Sequence, residues 1–280
     1  MTSLPPGSPR YVRCSDGVAL AVYEAGSLDA ATIVAVHGYP DNHVVWDGIA
    51  RLLAPAFHFV SYDVRGAGAS GRPRGRQAYA LERLGDDLIT VLDAVDARRP
   101  VHLLGHDWGS VQCWHVLQNA ARHVRVRSFV SISGPSLQHV RRYLRATPRH
   151  PAATLRQVAA SYYTLLFQLP VLPEAAARAG WITRMPWQDK QDAVDGLALY
   201  RANLRRHPAT PPRAVQVPVL VLAPQHDAYI TVAVATDAPR PFVRDLRTEV
   251  LPGGHWVLRQ RPELVAQRIE AFLSTVRANT

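Results

Sequence analysis

The 280-residue sequence holds a single lysine, Lys190, and two cysteines, Cys14 and Cys113. So few cysteines exclude a disulfide scaffold. Cys113 falls in a helix-like segment, where a buried small apolar residue is expected. No apolar run approaches the ~18 residues that a membrane-spanning helix needs. Residues Met1 to Arg10 hold prolines and polar side chains, where a secretory leader would hold a basic head and an apolar stretch. A cytoplasmic location is therefore the expectation. His37, His43, His106 and His226 lack the compact recurrent spacing of zinc ligands, so no metal is expected. A disordered composition is lacking too, since hydrophobic residues make up 48 % of the chain. The length suits one large domain, or a core with an insertion, and leaves oligomeric state open.

What is present in excess is positive charge. The net charge is +10, and arginine supplies nearly all of it. A basic chain raises nucleic acid as a partner. Here the arginines are scattered and no nucleic-acid-binding signature accompanies them, so no nucleic acid is expected. The densest group is Arg141, Arg142, Arg145 and Arg149. It reads as a solvated helix face, with attraction to an anionic substrate or membrane surface as the sharper alternative.

Apolar patterning sets the architecture. Ala31 to Val36 is a continuous apolar run, the pattern of a strand buried on both faces, and the apolar Val101 to Leu104 and Val217 to Leu222 read as further buried strands, with Phe57 to Tyr62 and Val126 to Ile132 as two more strands. Tyr11 to Cys14 and Val18 to Tyr23 flank an Asp16-Gly17 turn, and Arg244 to Leu251 reads as a weaker strand. Helical spacing predicts helices over Val45 to Leu53, Leu81 to Val95, Ser110 to Ala121 and Pro262 to Val276. Strands alternating with helices predict an α/β fold with a mostly parallel sheet covered on both faces. The rhythm stops after Gly134 and resumes at Val217, leaving helix-like pieces divided by Pro148, Pro151, Pro170, Pro173 and Pro186. At about 75 residues the interruption is too long for a loop. The expected organisation is a core of residues 1–135 and 213–280, with a helical cap of residues 136–212 above the carboxyl ends of the strands, where it excludes water from a pocket.

One five-residue stretch carries the chemistry. Gly105-His106-Asp107-Trp108-Gly109 joins a strand to a helix in the manner of a nucleophile elbow, with small flanks for a tight, strained turn. Its central residue is aspartate where serine is familiar, which points to alkylation of a carboxylate at an sp3 carbon. The plainer reading is a strand-end aspartate capping the next helix. An alkyl ester must then be hydrolysed, and His255 in Gly253-Gly254-His255-Trp256 is the candidate base. Asp227, just beyond the strand ending at Leu222, is the candidate that orients it. The competing reading has Asp227 capping a helix from Thr231. Asp237 and Asp245 are poorer candidates because neither closes an apolar strand. His37-Gly38-Tyr39-Pro40 also ends a buried strand, which assigns the Tyr39 and Trp108 backbone amides as donors to the ester carbonyl oxygen of Asp107. Arg65-Gly66-Ala67-Gly68 follows a strand but lacks the third glycine and the immediate helix of a dinucleotide site, so it reads as a structural loop.

With these motifs and the loop Asp63-Val64-Arg65-Gly66-Ala67-Gly68-Ala69-Ser70, the chain resembles the epoxide hydrolase branch of the alpha/beta-hydrolase superfamily over nearly its whole length. The aspartate elbow and the His-Gly-x-Pro loop are shared with haloalkane and fluoroacetate dehalogenases. The resemblance implies two cap tyrosines that hydrogen-bond the epoxide oxygen, at Tyr200 and at Tyr163, with Tyr162 as an adjacent alternative. It implies diol formation without a cofactor. Haloalkane dehalogenases usually carry Asn where this chain has Tyr39, and fluoroacetate dehalogenases carry arginines after the nucleophile, where this chain has Trp108 and Ser110. The cap residues Leu165, Leu166, Phe167, Trp181 and Trp187, with Trp108 as a further substrate-binding candidate, permit an apolar or aromatic small-molecule epoxide. A haloalkane dehalogenase, a cyclase or lyase reusing the triad, and a non-enzymatic ligand-binding protein are the alternatives.

Overall fold

The computed structural model describes residues 8–95, 99–118, 125–183, 185–205 and 213–278. Eight strands form one sheet: β1 (Arg10–Arg13), β2 (Ala19–Ala25), β3 (Thr32–Val36), β4 (His58–Tyr62), β5 (Val101–His106), β6 (Val126–Ile132), β7 (Val219–Pro224) and β8 (Leu246–Leu251). Their order is β1-β2-β4-β3-β5-β6-β7-β8. The six strands from β3 to β8 run parallel, and the β1–β2 hairpin pairs antiparallel to β4. Every residue of β3, β4, β5 and β7 is buried, which is why these strands are rich in apolar residues, and the buried His58 and His102 among them are hydrogen-bonded.

Alternate residues enter two cores. Val34, Val36 and Leu103 join the cluster under α2 (Leu81–Val95) and α3 (Trp108–Leu117). Ile33, Ala35 and Leu104 join the cluster under α1 (Asp47–Leu53) and α11 (Pro262–Ala278). In α2 the buried Leu84, Leu88, Val91 and Leu92 repeat at helical period and face the sheet. The helix expected from Val45 begins instead as a 3₁₀ turn, His43–Trp46, capped by the Asn42 side chain on the Val44 amide. The helix expected from Ser110 starts two residues earlier, at Trp108, because the chain reverses direction within Asp107 alone. Its expected end, 119–121, lies outside the described residues.

Five helices follow β6: α4 (Leu137–Arg145), α5 (Pro151–Ala160), α6 (Tyr163–Leu166), α7 (Leu172–Arg178) and α8 (Lys190–Asn203). Here proline starts helices as well as dividing them. Pro151 opens α5 and Pro173 sits in the first turn of α7, where a missing N–H costs nothing. Residues 184 and 206–212 of this stretch lie outside the described residues. α8 is fastened to the core. Its Asp192 accepts from the Gly68 amide and from Arg72, and its Asn203 side chain bonds the Leu81 amide and the Tyr79 carbonyl. The Gly68 and Ala69 amides are thus engaged by Asp192 and Asp63, and Arg65 pairs with Asp87 and Asp16, so the glycine-rich loop is a structural turn. After β7 come α9 (Val232–Asp237), β8, α10 (Val257–Gln260) and α11. Among the described residues no helix is long and apolar enough to cross a membrane.

Candidate active site

The carboxyl ends of β3, β5, β7 and β8 converge on one carboxylate. Asp107 holds φ +49° and ψ −123°, a conformation that L residues rarely adopt and that ejects its side chain from the end of β5. The neighbouring glycines are dictated by contact. A Cβ on Gly109 would collide with the carbonyl oxygens of Val36 and His37, and one on Gly38 would collide with the Asp107 carboxylate. Asp107 Oδ1 accepts from the Tyr39 amide at 2.7 Å, and its carboxylate also takes the Trp108 amide. Burial pushes its pKa up to about 6, against the pull of His255 and the two amides.

His255 must reach back across the sheet from β8, three strands and about 14 Å from β5. Its Nδ1 lies 3.1 and 3.0 Å from the two oxygens of Asp227, and its Nε2 lies 3.7 Å from Asp107 Oδ2. A carboxylate can only accept, so Nδ1 carries a hydrogen and Nε2 faces Asp107. Burial draws the imidazole pKa down, but the Asp227 and Asp107 carboxylates outweigh it and hold it at about 9. Burial likewise opposes ionisation of Asp227, but His255 and the Tyr229 amide keep its pKa below the usual carboxylate range. Asp227 also closes its own loop by accepting from the Tyr229 and Ile230 amides. It does not cap α9, whose N-cap is Thr231.

Above these groups is a cavity of about 340 Å³, walled by Asp107, His255, Tyr163, Tyr200, Phe167 and Trp181 among others. Tyr163 and Tyr200 are hydrogen-bonded to each other, with ring centroids 5.9 Å apart. Burial, then the Asp107 charge in the case of Tyr163, raises both phenol pKa values, so both remain protonated donors. Tyr162 lines the cavity only at its rim: it is 65 % exposed and meets Tyr163 edge-on. Two expected pocket aromatics are corrected. Trp187 does not wall the cavity. Its indole N–H needs a partner and finds Asp41 at 3.0 Å, and Arg259 covers its face at 4.6 Å. Trp108 packs beneath Tyr200, ring centroids 5.0 Å apart, with its indole N–H on the Tyr200 hydroxyl. It borders a separate recess of about 20 Å³, room for one water, instead of the main cavity.

Sequence comparison agrees with this frame. The family described as alpha/beta hydrolase fold matches residues 31–262. The chain belongs to the alpha/beta-hydrolase fold family. A relative named "Probable oxidoreductase EphD", from Mycobacterium tuberculosis, is 34% identical over 94% of this chain and 49% of its own length. The chain therefore spans about half the length of that relative. "Epoxide hydrolase A" of the same organism is 28% identical, covering 93% of this chain and 95% of that one. A solved structure described as one of "Novel epoxide hydrolases belonging to the alpha/beta hydrolases superfamily in metagenomes from hot environments" superposes with TM-score 0.81 at 24% identity, covering 98% and 99% of the two chains, a likeness of fold.

In this alpha/beta hydrolase several site residues escaped the sequence pattern. Asp41 is buried and accepts from the indoles of Trp256 and Trp187 and from the Gln188 amide, at 2.8, 3.0 and 3.0 Å. It joins the inserted helices to the His255 loop. His106 donates from Nε2 to the His255 carbonyl at 3.0 Å, and burial lowers its pKa to about 4, so it stays neutral beside the charged pair. Gln157 of α5 bonds the Tyr229 carbonyl and the Thr231 amide and hydroxyl, fixing the Asp227 loop. Position just after Pro40 and just before Asp107 was the available signal for Asp41 and His106. For Gln157 there was none.

Proposed function

We propose that this chain hydrolyses a small apolar or aromatic epoxide to a vicinal diol through an alkyl ester on Asp107. The reading rests chiefly on one observation: two protonated, mutually bonded phenols share a largely apolar cavity with a carboxylate whose other oxygen is already held. Asp107 Oδ2 attacks an epoxide carbon, the C–O bond breaks, and the departing oxygen takes a proton from Tyr163 or Tyr200. His255 Nε2 then accepts a proton from water, whose oxygen adds to the Asp107 carboxyl carbon. The Tyr39 and Trp108 amides receive the charge that develops on Oδ1. Collapse expels the diol oxygen, which takes the proton back from His255, and the second proton of the water, left on the Asp107 carboxyl, returns to the tyrosinate, restoring the carboxylate and both phenols. Asp227 keeps Nδ1 protonated and steadies the imidazolium. No step calls for a cofactor. Residues 136–212 act as the cap that shuts out bulk water. Relatives named epoxide hydrolases support the reading. A halide site finds less support, because the Trp108 indole N–H is already spent on Tyr200.

Tyr200→Phe is the direct test of the oxygen donor. The ring and its packing remain, and the hydroxyl is lost. Epoxide opening is expected to slow by roughly 10²–10³, by analogy with loss of one oxyanion donor. Ester hydrolysis should change little. The Tyr163→Phe/Tyr200→Phe double variant should be far slower than either single one. Unchanged alkylation in that variant, read by quenched mass spectrometry, would sink the epoxide-oxygen role.

The two half-reactions should also respond differently to pH. Alkylation needs ionised Asp107, whose folded pKa is raised to about 6. Its rate should therefore fall about tenfold per pH unit as pH drops below that value. Hydrolysis needs neutral His255. In the ester the Asp107 charge is gone, which removes one of the influences that hold His255 near 9. The imidazole pKa therefore falls on alkylation, which makes the base more available in the ester than in the free enzyme. Single-turnover traces of adduct formation against pH check this, and a flat alkylation profile across about pH 4–7 would contradict it.

A further inference from the structure

The outer surface of the helices α5 to α7 is unusually apolar, and α5 is inside-out. In α5 the buried residues are the polar Thr154 and Gln157, and the exposed ones include the apolar Leu155 and Val158. Of thirteen exposed large hydrophobic residues among those described, nine lie between Leu155 and Trp181. Leu155 and Val158 on α5, Tyr162 in the turn after it, Leu165 on α6 and Leu169 just beyond it are all exposed, three or four residues apart. Leu165 is 74 % exposed and Trp181 77 %. Val171, a β-branched residue at φ +67°, joins the patch with Leu172. A contiguous apolar patch of this kind on a water-soluble face marks an interaction surface. The patch reaches the cavity: Tyr162, Leu166 and Trp181 are exposed and also line its wall.

Charge identifies the occupant. Between Ser136 and Thr183 the chain carries Arg141, Arg142, Arg145, Arg149, Arg156 and Arg178 against one acid, Glu174. That acid is taken up by Arg201 at 2.5 Å. A second copy of this chain would bring arginines against arginines. An anionic phospholipid surface instead accepts Leu, Trp and Tyr among its acyl chains and headgroups, and arginines against its phosphates. We infer that helices α5–α7 dock this protein on an anionic bilayer surface, with the cavity mouth turned toward the lipid. The inference does not depend on the proposed chemistry. If both hold, apolar epoxides enter from the bilayer.

Co-sedimentation with vesicles tests it. The whole chain is expected to bind phosphatidylglycerol-containing vesicles, to bind pure phosphatidylcholine vesicles weakly, and to lose affinity as salt rises. The variant Leu155→Gln/Leu165→Gln/Leu172→Gln should bind roughly tenfold or more weakly at unchanged Tm. Arg145→Glu/Arg149→Glu/Arg156→Glu should lose the preference for anionic lipid. Wild-type protein that binds neither vesicle overturns the inference, as does an apolar variant that binds like the wild type. A wild-type dimer in light scattering that the apolar variant converts to monomer also overturns it, by giving the patch to a second copy.

Discussion

Asp107→Asn is expected to abolish diol formation, lowering kcat/KM by on the order of 10⁴-fold or more, as removal of a nucleophile does elsewhere. Asparagine keeps the shape of the side chain, and its carbonyl can still accept from the Tyr39 amide, which now sits 2.7 Å from Oδ1. The site therefore survives, and the loss reports nucleophilicity. Alanine is the less informative change, because it leaves the two inward amides without an acceptor. Isotope labelling makes the test sharper. Water adds to the carboxyl carbon, so the diol leaves with an oxygen that began on the protein. In a single turnover of wild-type protein in oxygen-18 water, the label should appear in the Asp107 carboxylate and not in the diol. Label found first in the diol, with the protein unlabelled, would rule out the ester and make water the direct nucleophile.

The parts of the fold that were legible are those where burial is two-sided. β3 and β7 are buried along their whole length, so a run of mostly apolar residues marks them, and β5 is marked by Val101, Leu103 and Leu104 leading into the elbow. β8 is half-exposed, and its Glu249 and Arg247 dilute the pattern, so its start at Leu246 lies two residues inside the expected one. The inserted helices were legible as an interruption but not in detail. In α5 the inward face carries Thr154 and Gln157 and the outward face Leu155 and Val158, which reverses the polarity that helix recognition relies on, and in α8 the buried Asp192 and Asn203 interrupt an otherwise apolar face.

A similar division runs through the candidate site. Asp107, Asp227 and His255 stand at strand ends, where an α/β sheet gathers its loops, and the structure brings all three together. Tyr163 and Tyr200 rested on resemblance, since nothing local distinguishes a cavity phenol from a packing phenol. Trp187 shows how that limit misleads. A tryptophan in the inserted segment looked like pocket lining, yet a buried carboxylate 146 positions earlier claims its N–H. Such pairings depend on long-range docking. Asp41 and Gln157 went unnoticed for the same reason, because each acts through partners that are distant in sequence.

His255→Gln should separate the half-reactions. Alkylation draws on the Asp107 carboxylate and the phenols, none of which is altered. Hydrolysis has no base without the imidazole, so the ester should accumulate, seen as a protein mass increased by that of the epoxide. Glutamine can still donate an amide N–H to Asp227, which otherwise would be a buried carboxylate with its strongest partner removed. The pH response carries a further signature. His255 is among the influences that hold the Asp107 pKa down to about 6. Without it that pKa rises, so alkylation in the variant should be slow near neutral pH and recover as pH increases. Trapped ester that forms faster at higher pH would tie His255 both to water activation and to the charge state of the nucleophile. Normal turnover in the variant would show that another base serves the ester. A correctly folded variant that never alkylates at any pH would make His255 part of the first step and overturn the division proposed here.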